Sequence, residues 1–148
     1  MKISTKGHYA VQAMVDMAER SEVSPVPLSV IAERQELSQN YLEQLFVKLR
    51  KAGIVKSVRG PGGGYLLART PSNITIGEVF AAVDESLRIT ECVDESLCAK
   101  SECCKAQVLW ARLHQHFNNL LNSITIDDVL SGSYDFSNIG SATVRPGA

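Results

Sequence analysis

The chain has 148 residues, of which 45% are hydrophobic and 21% charged, and its formal net charge is −1 at pH 7. This length suits one domain with an appended element, and the apolar fraction excludes wholesale disorder. No apolar run approaches the roughly 18 residues of a membrane span, and the start MKISTKGHYAV lacks the features of a signal peptide. We therefore expect a cytoplasmic protein without membrane association, whose thiols are kept reduced.

The charges are segregated along the chain. Residues 1–69 carry ten Lys/Arg and six Asp/Glu, whereas residues 70–148 carry five and ten. Between Lys48 and Arg69 there are six basic residues and no acidic one. Such a stretch suits a polyanion such as DNA, although on charge alone a solvated surface is the commoner explanation.

The first part of the chain has the pattern of three helices. Small and apolar residues recur at helical spacing from about residue 4 to residue 20, and the segment SPVPL then breaks the pattern. A short helix is predicted at about 28–35. A third helix is predicted from a cap at Ser38 to Ala52, where a glycine follows. The tight connection between the last two helices is typical of a helix-turn-helix.

A β-hairpin is predicted directly after the third helix. The β-type runs IVKSV (54–58) and YLLA (65–68) are separated by the turn-forming loop RGPGGG. Three helices and such a hairpin describe a winged helix-turn-helix, which we predict as a DNA-binding domain over residues 1–70. Helical pairs with short turns also occur in proteins that bind nothing, but here the basic stretch falls on the third helix and the wing.

The second part of the chain predicts helices around a cysteine-rich loop. The sequence T-x-x-E from Thr75 to Glu78 is a capping box that opens one helix, and a longer helix follows at about 105–122. The wide apolar stripe of the longer helix fits either a C2-symmetric homodimer contact, suited to DNA half-sites, or burial against its own domain. We predict that residues 71–130 hold the cysteine loop and dimerisation helices and that the Gly/Ser-rich residues 131–148 form a disordered tail. The predicted fold class is mainly α with a small β-hairpin.

The third helix is the candidate recognition helix, because the first turns of such a helix meet base edges in the major groove. Its apolar stripe is expected to be buried, which leaves the following side chains to point outward as candidate DNA-binding residues: Ser38, Gln39, Asn40, Tyr41, Glu43, Gln44 and Lys48. Asn40 and Gln44 have the amide geometry that pairs with adenine. Glu43 can accept from cytosine N4 and repels phosphates, so it would select by penalising wrong sites. Alternatively, Glu43 is an ordinary polar residue paired with Lys or Arg one turn away.

Arg59 stands at the mouth of the wing. A narrow minor groove concentrates negative potential and attracts arginine, and the glycines of GPGGG permit close approach of the backbone. We therefore add Arg59 to the candidate DNA-binding residues. A tight hairpin would need the same glycines without any ligand.

All four cysteines lie in the segment CVDESLCAKSECC. Cys92, Cys98 and Cys104 are separated by five residues each time, and Cys103 precedes the last of them. No C-x2-C pair occurs, which excludes a zinc ribbon and a thioredoxin-like motif. The spacing alone leaves open a soft-metal site, reversible thiol oxidation and inert surface cysteines.

An enzyme with a cysteine nucleophile is not indicated. The only imidazoles are His8, His114 and His116, and no motif places one of them beside a thiol with an orienting acid. We therefore predict a protein that is not an enzyme.

Three runs of the sequence carry a resemblance to a known family. KGHYAV, LSQNYLEQLFVKLRKAGIVKSVRGPGGGYLL and GEVFAAVDES closely resemble the IscR family of iron–sulfur cluster regulators, over about residues 1–130. That family consists of dimeric winged-helix transcription factors. The resemblance implies a 2Fe-2S cluster held by Cys92, Cys98 and Cys104 and by a histidine three residues after the third cysteine.

The resemblance also implies a regulatory role. Members of the family bind double-stranded promoter operators, and when loaded with a cluster they mainly repress cluster-assembly genes. The cluster-assembly machinery would then be the cluster donor, and the cluster-free form would bind a second class of site. The position of Glu43 is implicated in that switch, and the position of Arg59 in minor-groove contact.

The sequence departs from the family at the fourth cluster ligand. Gln107 stands where the histidine is expected, and glutamine is a poor ligand for iron beside sulfide. His114 is seven residues further along, roughly 10 Å on a helix, which is too far for a ligand unless the loop folds back. Cys103 is the better candidate because it is adjacent and a thiolate, although adjacent residues rarely ligate one metal, and an external ligand is an alternative. The alternative function is a winged-helix repressor whose cysteines sense oxidants, nitric oxide or zinc without a cluster.

Overall fold

The computed structural model describes residues 3–20, 24–85, 87, 90 and 105–134, so the four cysteines and most of the predicted tail lie outside the described residues. The elements are α1 (Thr5–Glu19), α2 (Leu28–Gln35), α3 (Gln39–Lys51), β1 (Val55–Val58), β2 (Gly64–Leu67), a 3-10 turn (Pro71–Asn73), α4 (Ile76–Ala82), α5 (Lys105–Ser123) and α6 (Ile126–Ser131). The predicted class, mainly α with a small β-hairpin, is confirmed. Within the described ranges, no helix combines the length and the hydropathy that a membrane span requires.

Helices α1, α2 and α3 pack around one apolar core. Each contributes a stripe at helical spacing, and the fully buried members include Ala10, Met14, Ile31, Leu42, Phe46 and Leu49. Each large apolar side chain removed from water in this way stabilises the fold by about 1.5–3 kcal/mol. The stripe predicted for the recognition helix is therefore confirmed, and it fixes which face of α3 remains outside.

The wing is an antiparallel pair of strands joined to the helical core by a further bridge. Val55 lies opposite Leu67 in the β1–β2 ladder. Val26 and Tyr65 exchange two backbone hydrogen bonds, of 2.9 and 2.8 Å, so the segment predicted only as a break also holds the edge of the wing. A Cβ atom at Gly64 would lie 2.3 Å from the Val26 carbonyl oxygen. Only glycine permits this approach.

Two capping boxes lie side by side where the chain returns to the winged domain. Thr75 and Glu78 cap α4, which confirms the predicted box, and Thr125 and Asp128 cap α6 in the same way. An isolated antiparallel bridge joins Thr75 to Thr125. The start of α6 is thereby fixed to the start of α4.

The long helix α5 packs against α4. A Cβ atom at Gly77 would lie 2.1 Å from Asn122 Oδ1, so a larger residue there would require the Asn122 side chain to shift. No residue of α5 is buried among those whose placement is described. The division into a DNA-binding part and a dimerisation part stays a prediction.

Candidate nucleic-acid interface

A short turn positions the recognition helix. The chain passes from α2 to α3 through Glu36, whose φ of 53° and ψ of 42° are left-handed, and Leu37, whose N–H donates to the Ala32 carbonyl at 2.9 Å. Ser38 occupies the N-cap of α3 as predicted, with extended backbone angles, but its side chain makes no capping hydrogen bond. Its hydroxyl is therefore not committed to the helix end.

The outer face of the first turns of α3 is polar and open. The exposed residues are Ser38, Gln39, Asn40, Glu43 and Gln44, all of them candidate DNA-binding residues. Gln39 Nε2 lies 3.4 Å from Glu43 Oε1. No Lys or Arg is ion-paired with Glu43 within the described part of the chain, so the expected basic partner one turn away is absent there.

Tyr41 lies differently from the outward position predicted for it. Its ring is half-buried against the core and makes an edge-on contact with Tyr9, with ring centres 6.0 Å apart. Its hydroxyl is buried and has no hydrogen-bond partner among the described residues. The reason is that Tyr41 borders the buried stripe of α3, so its ring packs toward α1. Contact of Tyr41 with DNA stays a prediction.

Lys48 is already engaged by an acidic side chain. Its Nζ lies 2.6 Å from Oδ2 of Asp84, just after the end of α4. Through this hydrogen bond and its charge, Lys48 holds the pKa of the Asp84 carboxyl below its ordinary value. Nothing in the sequence pattern indicated this partner, because the two residues are 36 positions apart.

The wing presents Arg59 to solvent at the end of β1. The tip is closed by a hydrogen bond from the Gly63 N–H to the Gly60 carbonyl at 2.9 Å. No hydrogen bond or ion pair holds the Arg59 guanidinium within the residues that the structure describes. Lys51 and Lys56 are also exposed at the end of α3 and on β1. The helix face and the wing thus offer polar groups for base edges and cations for phosphates.

An ionic cluster around the buried Asp16, missed by the sequence reasoning, fixes α2 on α1. Asp16 is only 4% exposed, and its carboxylate accepts hydrogen bonds from Arg34 Nη2 at 2.6 Å and Gln35 Nε2 at 3.2 Å. Arg20 Nε lies 3.6 Å from the same carboxylate. The signal in the sequence was an acid within the apolar stripe of α1, which requires a cationic partner once buried.

The predicted cluster ligands Cys92, Cys98, Cys103 and Cys104 lie outside the described residues. Two residues considered for the fourth cluster ligand are described by the structure. Gln107 is half-buried in the first turns of α5. His114 is half-buried as well, and both of its ring nitrogens contact neighbouring groups. The His114 Nδ1 atom lies 3.1 Å from the Leu87 carbonyl oxygen, and its Nε2 lies 2.9 Å from Asn118 Nδ2. A neutral imidazole that donates from Nδ1 and accepts at Nε2 satisfies both contacts. Both ring nitrogens of His114 are thus engaged within the fold, and the identity of the fourth cluster ligand stays a prediction.

An uncovered apolar surface lies on α5 and beside it. Val108, Leu109 and Leu113 are exposed by 56%, 53% and 39%. A groove of about 510 Å³ lies between α1, α4 and the C-terminal helices, lined among others by Val11, Val15, Phe80, Leu121, Ile124 and Val129. Uncovered apolar surfaces of this kind mark protein contacts.

Comparisons with known proteins agree with this geometry. The model of the Rrf2 family, described as an iron-dependent transcriptional regulator, matches residues 3–132. The HTH-type transcriptional regulator IscR of Klebsiella pneumoniae (strain 342) is 49% identical over 131 residues, which are 88% of this chain and 80% of that protein.

Two solved structures are similar over most of the chain. T. potens IscR is 42% identical, with a TM-score of 0.71, and the match covers 90% of this chain and 89% of that one. CymR, the global cysteine regulator of B. subtilis, is 36% identical with a TM-score of 0.74, covering 90% and 99%.

Proposed function

The chain belongs to the Rrf2 family of transcriptional regulators, and from that premise we propose that it senses iron–sulfur cluster status and mainly represses cluster-assembly genes. It is a DNA-binding transcription regulator and not an enzyme. The observation that carries the DNA-binding surface is the open polar row on α3 together with the exposed Arg59 of the wing, which has no hydrogen bond or ion pair among the described residues. Promoter operators in double-stranded DNA are the proposed ligand, and the proposed place of action is the cytoplasm.

The proposed reading surface is the set predicted from the sequence. Asn40 and Gln44 would pair with base edges, Glu43 would penalise wrong sites, and Arg59 would enter the minor groove. Lys48 would contact a phosphate. The other candidates, Ser38, Gln39 and Tyr41, belong to the same first turns. The exposure of Asn40, Glu43 and Gln44 supports these roles.

The proposed cofactor is a 2Fe-2S cluster held by Cys92, Cys98 and Cys104, with Cys103 as the fourth ligand. Relatives named IscR at 49% identity and the iron-dependent family description support the cofactor. The engagement of both His114 nitrogens supports Cys103 over that histidine. When bound, the cluster would supply a signal of iron and sulfur availability, and the cluster-assembly machinery would be its source.

We propose a C2-symmetric homodimer as the DNA-binding form. Its support is the uncovered apolar stripe of α5, represented by Val108, Leu109 and Leu113, together with the apolar groove between α1, α4 and the C-terminal helices. A second copy would cover both surfaces, because an isologous contact uses the same patch twice. Two recognition helices related by a two-fold axis would then match two operator half-sites.

Purification without oxygen tests the proposal. We expect a red-brown protein with visible absorption and equal amounts of iron and acid-labile sulfide, both lost in a Cys92→Ala variant. The loaded and cluster-free forms should differ in their preference among operators. A colourless protein that contains zinc, or whose thiols oxidise reversibly, would instead favour the repressor that senses without a cluster.

A further inference from the structure

The ion pair between Lys48 and Asp84 lies at the surface beside the recognition helix. The atoms Lys48 Nζ and Asp84 Oδ2 are 2.6 Å apart, and the two side chains are 41% and 73% exposed. Lys48 lies in the second half of α3, beyond the residues that face base edges. Its ammonium is therefore accessible to a phosphate of bound DNA only in competition with the carboxylate.

The fold holds Asp84 in this position through the backbone. Its φ of 56° is left-handed and turns the chain away from the end of α4. The Asp84 carbonyl oxygen lies 3.4 Å from Lys6 Nζ. The following residue, Glu85, is fixed as well: its N–H donates to the Phe80 carbonyl at 2.9 Å, and its carboxylate accepts from the Ser4 N–H at 3.2 Å.

We propose that Asp84 is an autoinhibitory competitor that occupies the phosphate-binding ammonium of Lys48. A carboxylate and a phosphate oxygen are alternative acceptors for one ammonium. An aspartate carboxyl is charged at neutral pH, so the competition persists wherever DNA binding is measured. It lowers affinity for all sequences, since a phosphate contact carries no sequence information. The inference rests on the proposed contact of Lys48 with a DNA phosphate, and because it concerns the cluster-free chain it does not depend on the proposed cluster.

The test is a double-mutant cycle in which a labelled non-specific duplex is titrated with cluster-free protein. Asp84→Asn removes the competing charge, and asparagine is among the residues that tolerate a left-handed φ. We expect Asp84→Asn to bind the duplex about two- to fivefold more tightly at low salt. The slope of log affinity against log salt should steepen by up to about 0.9, the value for one phosphate contact.

Lys48→Gln separates local competition from a general effect of charge. Lys48→Gln should weaken binding to the duplex. When Asp84→Asn is added to Lys48→Gln, affinity should not rise. When Asp84→Asn is added to Lys48→Arg, affinity should rise as it does in the parent protein. Asp127→Asn removes an exposed acid from the first turn of α6 and should leave affinity unchanged. An equal gain in the Lys48→Gln background, no gain in Asp84→Asn alone, or undiminished binding by Lys48→Gln would each overturn the proposal.

Discussion

The carboxylate of Asp16 accepts a hydrogen bond from Nη2 of Arg34 at 2.6 Å, across the interface between α1 and α2. Because Asp16 is buried, Arg34 takes the place of the water that would solvate an exposed carboxylate. Helix α2 in turn carries the turn that orients the recognition helix. The pair therefore connects the stability of the core to the position of the DNA-binding surface.

Replacing Arg34 by alanine should destabilise the fold. The Asp16 charge would stay buried with only Gln35 and the more distant Arg20 beside it. We expect a loss of about 2–4 kcal/mol in the free energy of unfolding, since breaking one side of a buried pair strands the other charge. Urea denaturation measures this value. Lys51→Ala, at an exposed position of α3, should change it by less than about 0.5 kcal/mol. Equal losses in both variants would contradict the assignment.

The two capping boxes should make stability fall in acid. A backbone hydrogen bond from Thr75, aided by Arg69, lowers the pKa of Glu78 below its ordinary value, and a backbone hydrogen bond from Thr125 lowers that of Asp128. The folded state therefore takes up these protons less readily than the unfolded chain. The stabilisation is complete above the ordinary values of 4.5 and 3.8. It is lost as the pH falls through the lowered values.

A variant with Glu78→Gln and Asp128→Asn isolates this contribution. It should be less stable at neutral pH, because each box loses a charged partner, but its stability should fall less steeply below about pH 4.5. Urea unfolding at a series of pH values measures both profiles. Parallel profiles would show that the boxes do not carry the acid sensitivity.

The sequence predicted the features that depend on local pattern. The buried stripe of α3, including Leu42 and Phe46, follows from helical periodicity, and the box opened by Thr75 follows from its T-x-x-E spacing. The features that the sequence did not predict depend on contacts between segments that are distant along the chain. No local pattern specifies that Asp84 is the acid that pairs with Lys48. Nor does a local pattern specify the β-bridge between Val26 and Tyr65 of the wing.

The misplacement of Tyr41 has the same origin. On a helical projection it borders the buried stripe, and only the position of Tyr9 on α1 decides that its ring turns inward. Asp16 is the intermediate case. Its place in an apolar stripe indicated that a cationic partner would be required. That this partner is Arg34 could be seen only from the packing of α2 on α1.

The fourth cluster ligand can be tested with two substitutions. Cys103→Ala should shorten the lifetime of the cluster in air, because a thiolate ligand is removed. His114→Asn should leave the content of iron and sulfide unchanged, because both ring nitrogens are used by Leu87 and Asn118. Iron and sulfide analysis and the decay of visible absorption measure the two effects. An unaltered lifetime in Cys103→Ala would refute that ligand, and loss of iron in His114→Asn would transfer the role to the histidine.

Two single variants should distinguish base readout by Gln44 from minor-groove binding by Arg59, through their different effects on sequence specificity and on salt dependence. Gln44→Ala should cost about 1–3 kcal/mol at operators with adenine at the contacted position, with little change in the salt slope. Arg59→Ala should weaken binding to all sequences with a narrow minor groove and reduce the salt slope by about 0.9. Titrations of operator variants at several salt concentrations measure both. If Gln44→Ala weakened every sequence equally, the proposed direct readout by α3 would be wrong.

The dimer contact can be tested on the uncovered stripe of α5. Leu109→Asp places a charge at a side chain that is 53% exposed in the single chain and would be buried between two copies. We expect it to shift the protein to monomers in sedimentation velocity and to weaken operator binding, because a monomer contacts one half-site only. Ala111→Asp is the matched control, since it lies on the same helix roughly 160° around the axis from Leu109 and Leu113 and is also exposed. If both variants sediment as dimers, the two copies must meet through another surface.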